Sequence, residues 1–480
     1  MKINRLNIVL KPSHDRVIIR SFIPSNEERI YRIIARIISL SEDQVAEMLK
    51  KVLREFEDRH QNIQKVLLNH FEKVKNWLIT DLPISIERKI LIGSYFTQEY
   101  SIESAALFNP SIIPHPDQSD IQEGSIRFIM SLRATGEGHI SSIVFREGII
   151  DKNFKITIRK PTPYVTEPER VTNTIFEKDL FIRKLRELEL DTPFARNVLS
   201  TLEDSFNLET LLAAVENQKK NTLFSGYSKE NIDAILTFTY SNYEVQFNKN
   251  QRTSERAIFP SSPSQKNGIE DARFVLFTED DGSKKYYATY TAYDGKTIIP
   301  QLLETEDFFF FRFVTLNGSG VQNKGMALFP RKINGNYVML SRQDNENIFI
   351  MYSDNIHFWY NPKIIIKPTY PWEYTQLGNC GSPLETDEGW LVLSHGVGPM
   401  RKYCIGAFLL DKNDPSKVIG RLKKPLIKPN ENEREGYVPN VVYTCGALIH
   451  QEKLIIPYAI SDYATSFALV DVKKILNAMD

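Results

Sequence analysis

Six consecutive residues carry the first chemical signal in this 480-residue chain: Gly268-Ile269-Glu270-Asp271-Ala272-Arg273, two adjacent carboxylates with a guanidinium two positions on. They open the apolar run Phe274-Val275-Leu276-Phe277, and a second aromatic run follows at Tyr286-Tyr287-Ala288-Thr289-Tyr290-Thr291-Ala292-Tyr293. Both runs have the aromatic and β-branched content of strands, so the carboxylates sit at the mouth of one. Carboxylates placed there can exchange protons with a bound molecule, one lending a proton to a leaving oxygen and the other taking one from a nucleophile. Asp271 is the candidate proton donor. A strand end fixed by an Asp–Arg pair would show the same residues, and that alternative stays open at this point.

The elements that must position this cluster follow from composition and periodicity. A chain of 480 residues exceeds the usual size of one compact core, so one large domain of unusual architecture, or two, is expected. Sixty Lys+Arg balance sixty Asp+Glu, which removes any argument from overall charge for a nucleic acid or an anionic membrane. Cys380, Cys404 and Cys445 form no CxxC pair, and an odd number argues against a disulfide framework. The N-terminus reaches Lys11, Pro12 and Asp15 before any apolar stretch long enough for a signal segment, and no run of about 18 apolar residues occurs. A cytoplasmic protein is expected. No His or Cys cluster has zinc spacing and His395 is isolated from other ligand types, so neither metal nor organic cofactor is expected.

Residues 3–23 alternate weakly and predict one or two short strands. Helices follow: Ser25-Asn26-Glu27-Glu28 reads as a cap before Ile30, Ile33, Ile34, Ile37 and Ile38, and Ser41 with Gln44 opens the stripe Val45, Met48, Leu49, Val52, Leu53 and Phe56. A further helix through Val66, Leu67, Phe71, Val74 and Leu78 completes a helical arm over residues 1–90. From Ile92 short aromatic and β-branched runs recur, which predicts an all-β barrel, sandwich or propeller. A rhythm of roughly fifty residues favours a propeller, with hairpin turns at Gly335-Asn336-Tyr337, Glu388-Gly389-Trp390 and Gln451-Glu452-Lys453. Helical spacing interrupts this texture at about 176–221, with a break at Asp191-Thr192-Pro193, and this insertion is expected to pack beside the N-terminal helices. Strand texture is expected to resume at Ala234-Ile235-Leu236-Thr237-Phe238, and a short helix to close the chain from Lys473 to Met479.

Five motifs occur in order: Asn109-Pro110-Ser111; Gly268 to Arg273; Lys324-Gly325-Met326-Ala327-Leu328-Phe329-Pro330; Trp390-Leu391-Val392-Leu393-Ser394-His395-Gly396-Val397; and Glu435-Gly436-Tyr437-Val438-Pro439-Asn440-Val441. With them the chain resembles glycoside hydrolase family 130, β-mannoside phosphorylases and some β-mannosidases, from about Tyr95 to Lys474. The resemblance implies a mainly β fold, a five-bladed β-propeller catalytic domain over residues 91–480 that carries the helical insertion. Ala272 stands where the family pattern has Pro, and Gly325 where it often has Asp. The arm and the insertion, absent from shorter members, suggest a long-chain subgroup.

Cleaving a glycosidic bond takes a proton for the leaving oxygen and a nucleophile for the anomeric carbon, delivered from opposite faces in an inverting enzyme. In a phosphorylase inorganic phosphate is co-substrate and nucleophile, so cations and amides replace the second carboxylate. By resemblance Asp271 is the acid, reaching the glycosidic oxygen through a sugar hydroxyl. Lys324 and His395, with Arg133 and Arg342, are implied for phosphate: Arg offers a fork, Lys a point charge, and His a donor that can be charged near neutral pH. Glu270 would shape the sugar site or hold Arg273, itself a sugar-site candidate, and Asn109, Tyr293, Trp372 and Asp462 are further sugar-binding candidates, Asp462 by its place in the last-blade motif. His139 fits a ligand contact or a structural role equally well. The implied reaction turns a β-mannoside oligosaccharide and phosphate into α-mannose 1-phosphate and a shortened sugar. The alternatives are an inverting β-mannosidase, with Glu137, Glu373 or Glu435 as base, and a non-catalytic carbohydrate-binding propeller. Two roles stay open for the arm: narrowing the sugar entrance, or self-association into a homo-oligomer.

Overall fold

The computed structural model describes residues 3–220 and 229–480, and strands dominate it. Many are buried on both faces; in Lys284–Tyr293 seven consecutive residues are buried. Such a strand needs an apolar layer on each side, and its period-2 alternation supplies one. Along Gly268–Thr278, Phe274 enters a cluster with Phe145, Tyr286 and Phe311, whereas Val275 and Phe277 enter another with Leu328, Met339 and Met351.

Strands Ala106–Pro114, Ile126–Thr135, Ser141–Ile150 and Ile156–Ile158 pair antiparallel in that order. So do Gly268–Thr278, Lys284–Tyr293, Ile298–Thr305 and Phe310–Thr315, and the two stretches join through a single parallel contact of Gly268 with Ser141. The next sheet orders Ala327–Leu328, Tyr337–Ser341, Ile348–Ser353 and Lys363–Ile366, and the one after it Gln376–Asn379, Trp390–Gly398, Lys402–Leu410 and Val418–Arg421. In the last, Val442–Tyr443, Lys453–Ile460 and Ala464–Asp471 are completed by Asn4–Leu10. Apolar clusters join each stretch to its successor, and one more joins Ile455 and Phe467 of the last sheet to Ile112 and Phe128 of the first. The turns read at Gly335-Asn336, Glu388-Gly389 and Gln451-Glu452 all fall between paired strands.

Four helices lie near the N-terminus, α1 (Glu27–Ile38), α2 (Glu42–Phe56), α3 (Ile63–Val74) and α4 (Ile86–Tyr95). Their starts follow capping chemistry: Asn26 accepts from the Arg29 N–H, Ser41 and Gln44 form a capping box, and Ser85 accepts from the Arg88 N–H. Ile30, Ile34, Ile37, Phe71, Leu91 and Ile92 share a core. Strand Ser13–Ser21 pairs with Thr97–Glu103, which ties the helices to the strand that leads into the first sheet.

The insertion holds α5 (Lys178–Glu187), α6 (Pro193–Ser200), α7 (Leu208–Lys220) and α8 (Lys229–Tyr240). Two expectations are corrected here. The run at 234–238 is part of α8 and not a strand: Ile232, Ile235 and Phe238, three apart, turn one face to the insertion's core, so helical register overrides the β-rich composition of a short apolar run. Helix thus recurs at Lys229–Tyr240, past the boundary expected near 221, which itself lies outside the described residues. The insertion also closes on a core of its own, with Phe181, Leu185, Phe194, Val198 and Leu211, separate from that of α1–α4. It docks instead on the outer strand of the second stretch and its successor: Lys184 Nζ donates to the Thr315 carbonyl at 3.1 Å, and the Arg183 guanidinium lies 3.8 Å from the Phe358 ring centre. The closing helix, α9, spans Val472–Leu476. Among the described residues no helix is long and apolar enough to cross a membrane.

Helices α3 and α4 approach so closely that a β-carbon on Gly93 would lie 1.8 Å from the Leu67 carbonyl oxygen. Gly93→Ala should therefore destabilise the protein by about 1–3 kcal/mol, because backbone must move to admit one methyl group. Thermal or urea unfolding of the variant checks this, and an unshifted midpoint would contradict the close packing.

Candidate active site

Register decides where the polar candidates gather. Ala106 pairs with Thr135, Gly268 with Tyr293, Ala327 with Leu340, Gln376 with Val397 and Val442 with Ile460. The turns 136–140, 294–297, 342–347, 399–401 and 461–463 therefore share one end of the sheets with the segments that enter each first strand. Asn109, Arg133, Asp271, Lys324, Arg342, His395 and Asp462 all lie at that end.

Two of the entering strands bulge there. Pairing slips between Phe108 and Ser111, and again between Glu270 and Arg273. The displaced residues, Asn109 and Asp271, take φ of 47° and 52°. A bulge re-aims a side chain, and Asn and Asp tolerate left-handed backbone better than other residues that carry a β-carbon. Here the two side chains meet: Asn109 Nδ2 donates to Asp271 Oδ1 at 2.7 Å. Among the described residues, the buried Asn109 Oδ1 has no hydrogen-bond partner.

Arg133 holds both carboxylates of the original cluster. Its Nη2 donates to Glu270 Oε1 at 2.7 Å, its Nη1 lies 3.5 Å from Asp271 Oδ1, and Ser141 Oγ accepts from its Nε at 2.9 Å. Lys324 Nζ stands 3.7 Å from Glu270 Oε2. Glu270 is thus held by Arg133 and Lys324 and not by Arg273. Arg273 turns inward, 2% exposed, and donates to the Cys380 carbonyl at 2.9 Å, the Asp271 carbonyl at 3.2 Å and the Tyr443 hydroxyl at 2.7 Å. Arg342 donates from Nε to the Lys324 carbonyl at 3.2 Å and meets His395 Nε2 at 3.2 Å through Nη1. Gly325 gives it room: a β-carbon there would lie 2.6 Å from Arg342 Nε.

The electrostatics separate two chemically identical side chains. Burial works against a charge on Asp271, but Arg133, Arg273 and Lys324, with the Asn109 amide, outweigh it and hold the acid at about 2. Asp462 moves the other way: burial, and then the negative charge of Asp271, lift it to about 6 against the pull of Arg133, Arg401 and Lys324. His395 is buried and flanked by Arg342 and Arg273, which hold it well below the ordinary histidine value. It is a neutral ring at pH 7, a correction to the expectation of a chargeable histidine. Burial pushes Cys380 up to about 12 and Cys445 well above the usual thiol range, so neither is a ready nucleophile.

Other candidates stand apart from this cluster. The Tyr293 hydroxyl donates to the Gly295 carbonyl of its own turn. Trp372 lies on Gly396 and Gly406, where a β-carbon would come within 2.5 and 2.4 Å of its ring, and donates to the Lys423 carbonyl. Glu373 is occupied by Arg421 at 2.6 Å and by the Thr369 and Tyr370 N–H groups. His139 is exposed and stacks on Tyr437. Three participants carry no sequence signal of their own: Ser141, which orients Arg133; Tyr443, which receives Arg273 and lies edge-on to His395; and Arg401, whose charge acts on Asp462. Among the described residues no three His, Cys, Asp or Glu side chains cluster as a metal site.

A family model, glycoside hydrolase family 130, described as beta-1,4-mannooligosaccharide phosphorylase, matches residues 213–480, and the chain belongs to that family. It is 41% identical over 155 residues to 1,2-beta-oligomannan phosphorylase of Thermoanaerobacter sp., a match spanning 32% of this chain and 52% of the relative. It is 34% identical over 239 residues to Beta-1,2-mannobiose phosphorylase of the same organism, spanning 47% of this chain and 74% of the relative. The chain thus spans about half the length of the first of these curated relatives and about three quarters of the second. Among solved structures, Beta-1,2-Mannobiose phosphorylase from Listeria innocua in complex with beta-1,2-mannobiose aligns at 21% identity over 79% of this chain and 92% of that one, with a TM-score of 0.45.

The raised Asp462 makes a signed prediction. An acid whose folded value exceeds its unfolded value binds a proton that the unfolded chain has already lost, so wild-type stability falls as pH rises from about 4 to about 6. Asp462→Asn removes this penalty. The variant should melt higher than wild type at pH 7.5, by no more than about 3 kcal/mol, and the difference should vanish below about pH 4. Thermal melts across pH check this, and a pH-independent difference would contradict it.

Proposed function

We propose that the protein is an inverting phosphorylase that converts a β-mannoside and inorganic phosphate into α-mannose 1-phosphate and a shortened sugar. The observation that carries this reading is the charge of the cluster: Arg133, Arg273, Lys324 and Arg342 stand against Asp271 and Glu270, with Asp462 lifted to about 6. Even with Asp462 largely ionised near pH 7 the cluster keeps a positive surplus, which suits an anionic co-substrate. Relatives named as phosphorylases of β-1,2-linked mannosides support the substrate class. The ring of apolar contacts that returns from the last sheet to the first supports a five-bladed propeller, with the joined stretches counted as two blades and residues 91–480 as the catalytic domain.

In this mechanism Asn109 Oδ1, a buried acceptor awaiting a donor, takes a sugar hydroxyl, and Asp462 holds the ring being transferred. Lys324 and Arg342 hold phosphate in line with the anomeric carbon, and the neutral His395 contributes through its contact with Arg342. Arg133 is already engaged by Ser141, Glu270 and Asp271, so its part is to hold the acid while its charge draws the anion. The low value of Asp271 depends on those same cations. A phosphate dianion beside them offsets their field and raises the proton affinity of Asp271, so the acid is loaded only when the nucleophile is present. Asp271 then passes its proton to the leaving oxygen through a sugar hydroxyl. Hydrolysis would instead need a carboxylate base; of the three candidates Glu373 is taken by Arg421, while Glu137 and Glu435 are exposed, unlike the buried Asp271.

Incubation with β-1,2- and β-1,4-linked mannosides, with and without phosphate, should give mannose 1-phosphate only when phosphate is present. Phosphate-independent release of free mannose would overturn the phosphorylase reading. Asp271→Asn should cut turnover by about 10²–10⁴-fold without loss of folding. Lys324→Ala should raise the KM for phosphate by about tenfold or more, the loss of one charge-assisted hydrogen bond.

A further inference from the structure

The turn 136–140 and the segment that enters the last sheet meet across the end of the molecule where Asp271 lies. Their contact is a pair of rings: His139 and Tyr437 stack with centres 5.6 Å apart and planes 29° from parallel, and the Tyr437 hydroxyl lies 3.2 Å from His139 Nδ1. His139 is exposed and Tyr437 is 56% exposed, so neither ring is core packing.

Both rings are nevertheless held firmly from behind. A β-carbon on Gly136 would lie 2.1 Å from the Ser101 carbonyl oxygen, and the Tyr100 hydroxyl donates to the Glu137 carbonyl at 2.6 Å, so strand Thr97–Glu103 backs the turn. His139 takes a left-handed φ of 60°. On the other side, a β-carbon on Gly436 would lie 2.6 Å from Ser461 Cβ, and the Val438 N–H donates to the Ser461 carbonyl at 2.9 Å. Tyr437 is thereby fixed beside Ser461 and Asp462, and His139 six residues past Arg133.

Two solvent-facing rings on braced backbone, left-handed at His139, next to a buried polar site, have the form of a platform for the apolar face of a pyranose. Asp271 is 6% exposed, so the bond to be broken lies deeper than the rings, and what reaches them is farther along the same molecule. We infer that the His139–Tyr437 pair is a distal sugar subsite, occupied by a mannose ring beyond the two joined by the cleaved bond, and that it gives the enzyme a preference for mannosides of three or more units. The inference rests on the β-mannoside reading above. It also gives the N-terminal segment a part in specificity, since Tyr100 and Ser101 brace the turn that carries His139.

The test compares kcat/KM for the mannobiose, mannotriose and mannotetraose of whichever linkage the wild-type protein turns over, in wild type, His139→Ala, Tyr437→Ala and Tyr437→Phe. Wild type should favour the trisaccharide over the disaccharide. Either alanine variant should lower that ratio about fivefold through a higher KM for the longer substrates, whereas Tyr437→Phe, which keeps the ring, should retain most of it. A ratio unchanged in both alanine variants of an active, folded protein overturns the subsite. Turnover that does not need phosphate would overturn the phosphorylase reading alone, because the ratio reads equally for hydrolysis. No turnover of any length overturns both.

Discussion

The Arg273 guanidinium is the constraint on which the site depends. A guanidinium cannot shed its proton, so a buried one must be surrounded by acceptors. Arg273 finds them on strands of different sheets: the carbonyl of Asp271 in its own strand, the carbonyl of Cys380 after Gln376–Asn379, and the hydroxyl of Tyr443 in Val442–Tyr443. One cation thereby fixes the backbone of the bulge that presents Asp271 and registers it against two other sheets. Its charge also helps keep Asp271 ionised and His395 neutral.

Around it, identity of residue type says little about behaviour. Asp271 and Asp462 share one cluster, yet cations and an amide draw the first down while burial and the first one's charge push the second up. Such a split is what acid–base work requires, and here it arises from neighbours on separate elements. The bulges at Asn109 and Asp271 are equally collective: each displaced residue costs local strain, and the hydrogen bond between them is available because both strands bulge at the same end.

Much of this was legible in the sequence, and what was not has physical reasons. The capped starts of α1 and α2 were readable because capping is local: Asn26 and Ser41 bond within their own first turns. Hairpin turns at Gly335, Gly389 and Gln451 were readable because tight turns restrict residue type. The stretch 234–238 was misread because a run of five residues, four of them apolar, fits either a buried strand or a buried helix, and the decision came from Phe181 and Phe206 across the insertion's core. Within the site, Asp271, Asn109, Lys324, Arg342, His395 and Asp462 gather at one end as their motifs implied. The direction of Arg273, the tether of Glu270 to Arg133 and the neutrality of His395 depend on partners more than a hundred residues away or on burial, neither of which spacing encodes. Tyr293 and Trp372 make their contacts with their own turn and with the glycines of Trp390–Gly398 and Lys402–Leu410, which spacing does not encode either.

Strand Asn4–Leu10 completes the last sheet beside Ala464–Asp471. Until Ala464–Asp471 has been made, Asn4–Leu10 lacks that partner for its ladder groups, and more than four hundred residues lie between the two strands. The last sheet is therefore complete only when two segments far apart in the chain have met, and a pairing of such high sequence separation is slow to form. Such a pairing makes Asn4–Leu10 the strand that spends longest as an open edge while the fold assembles.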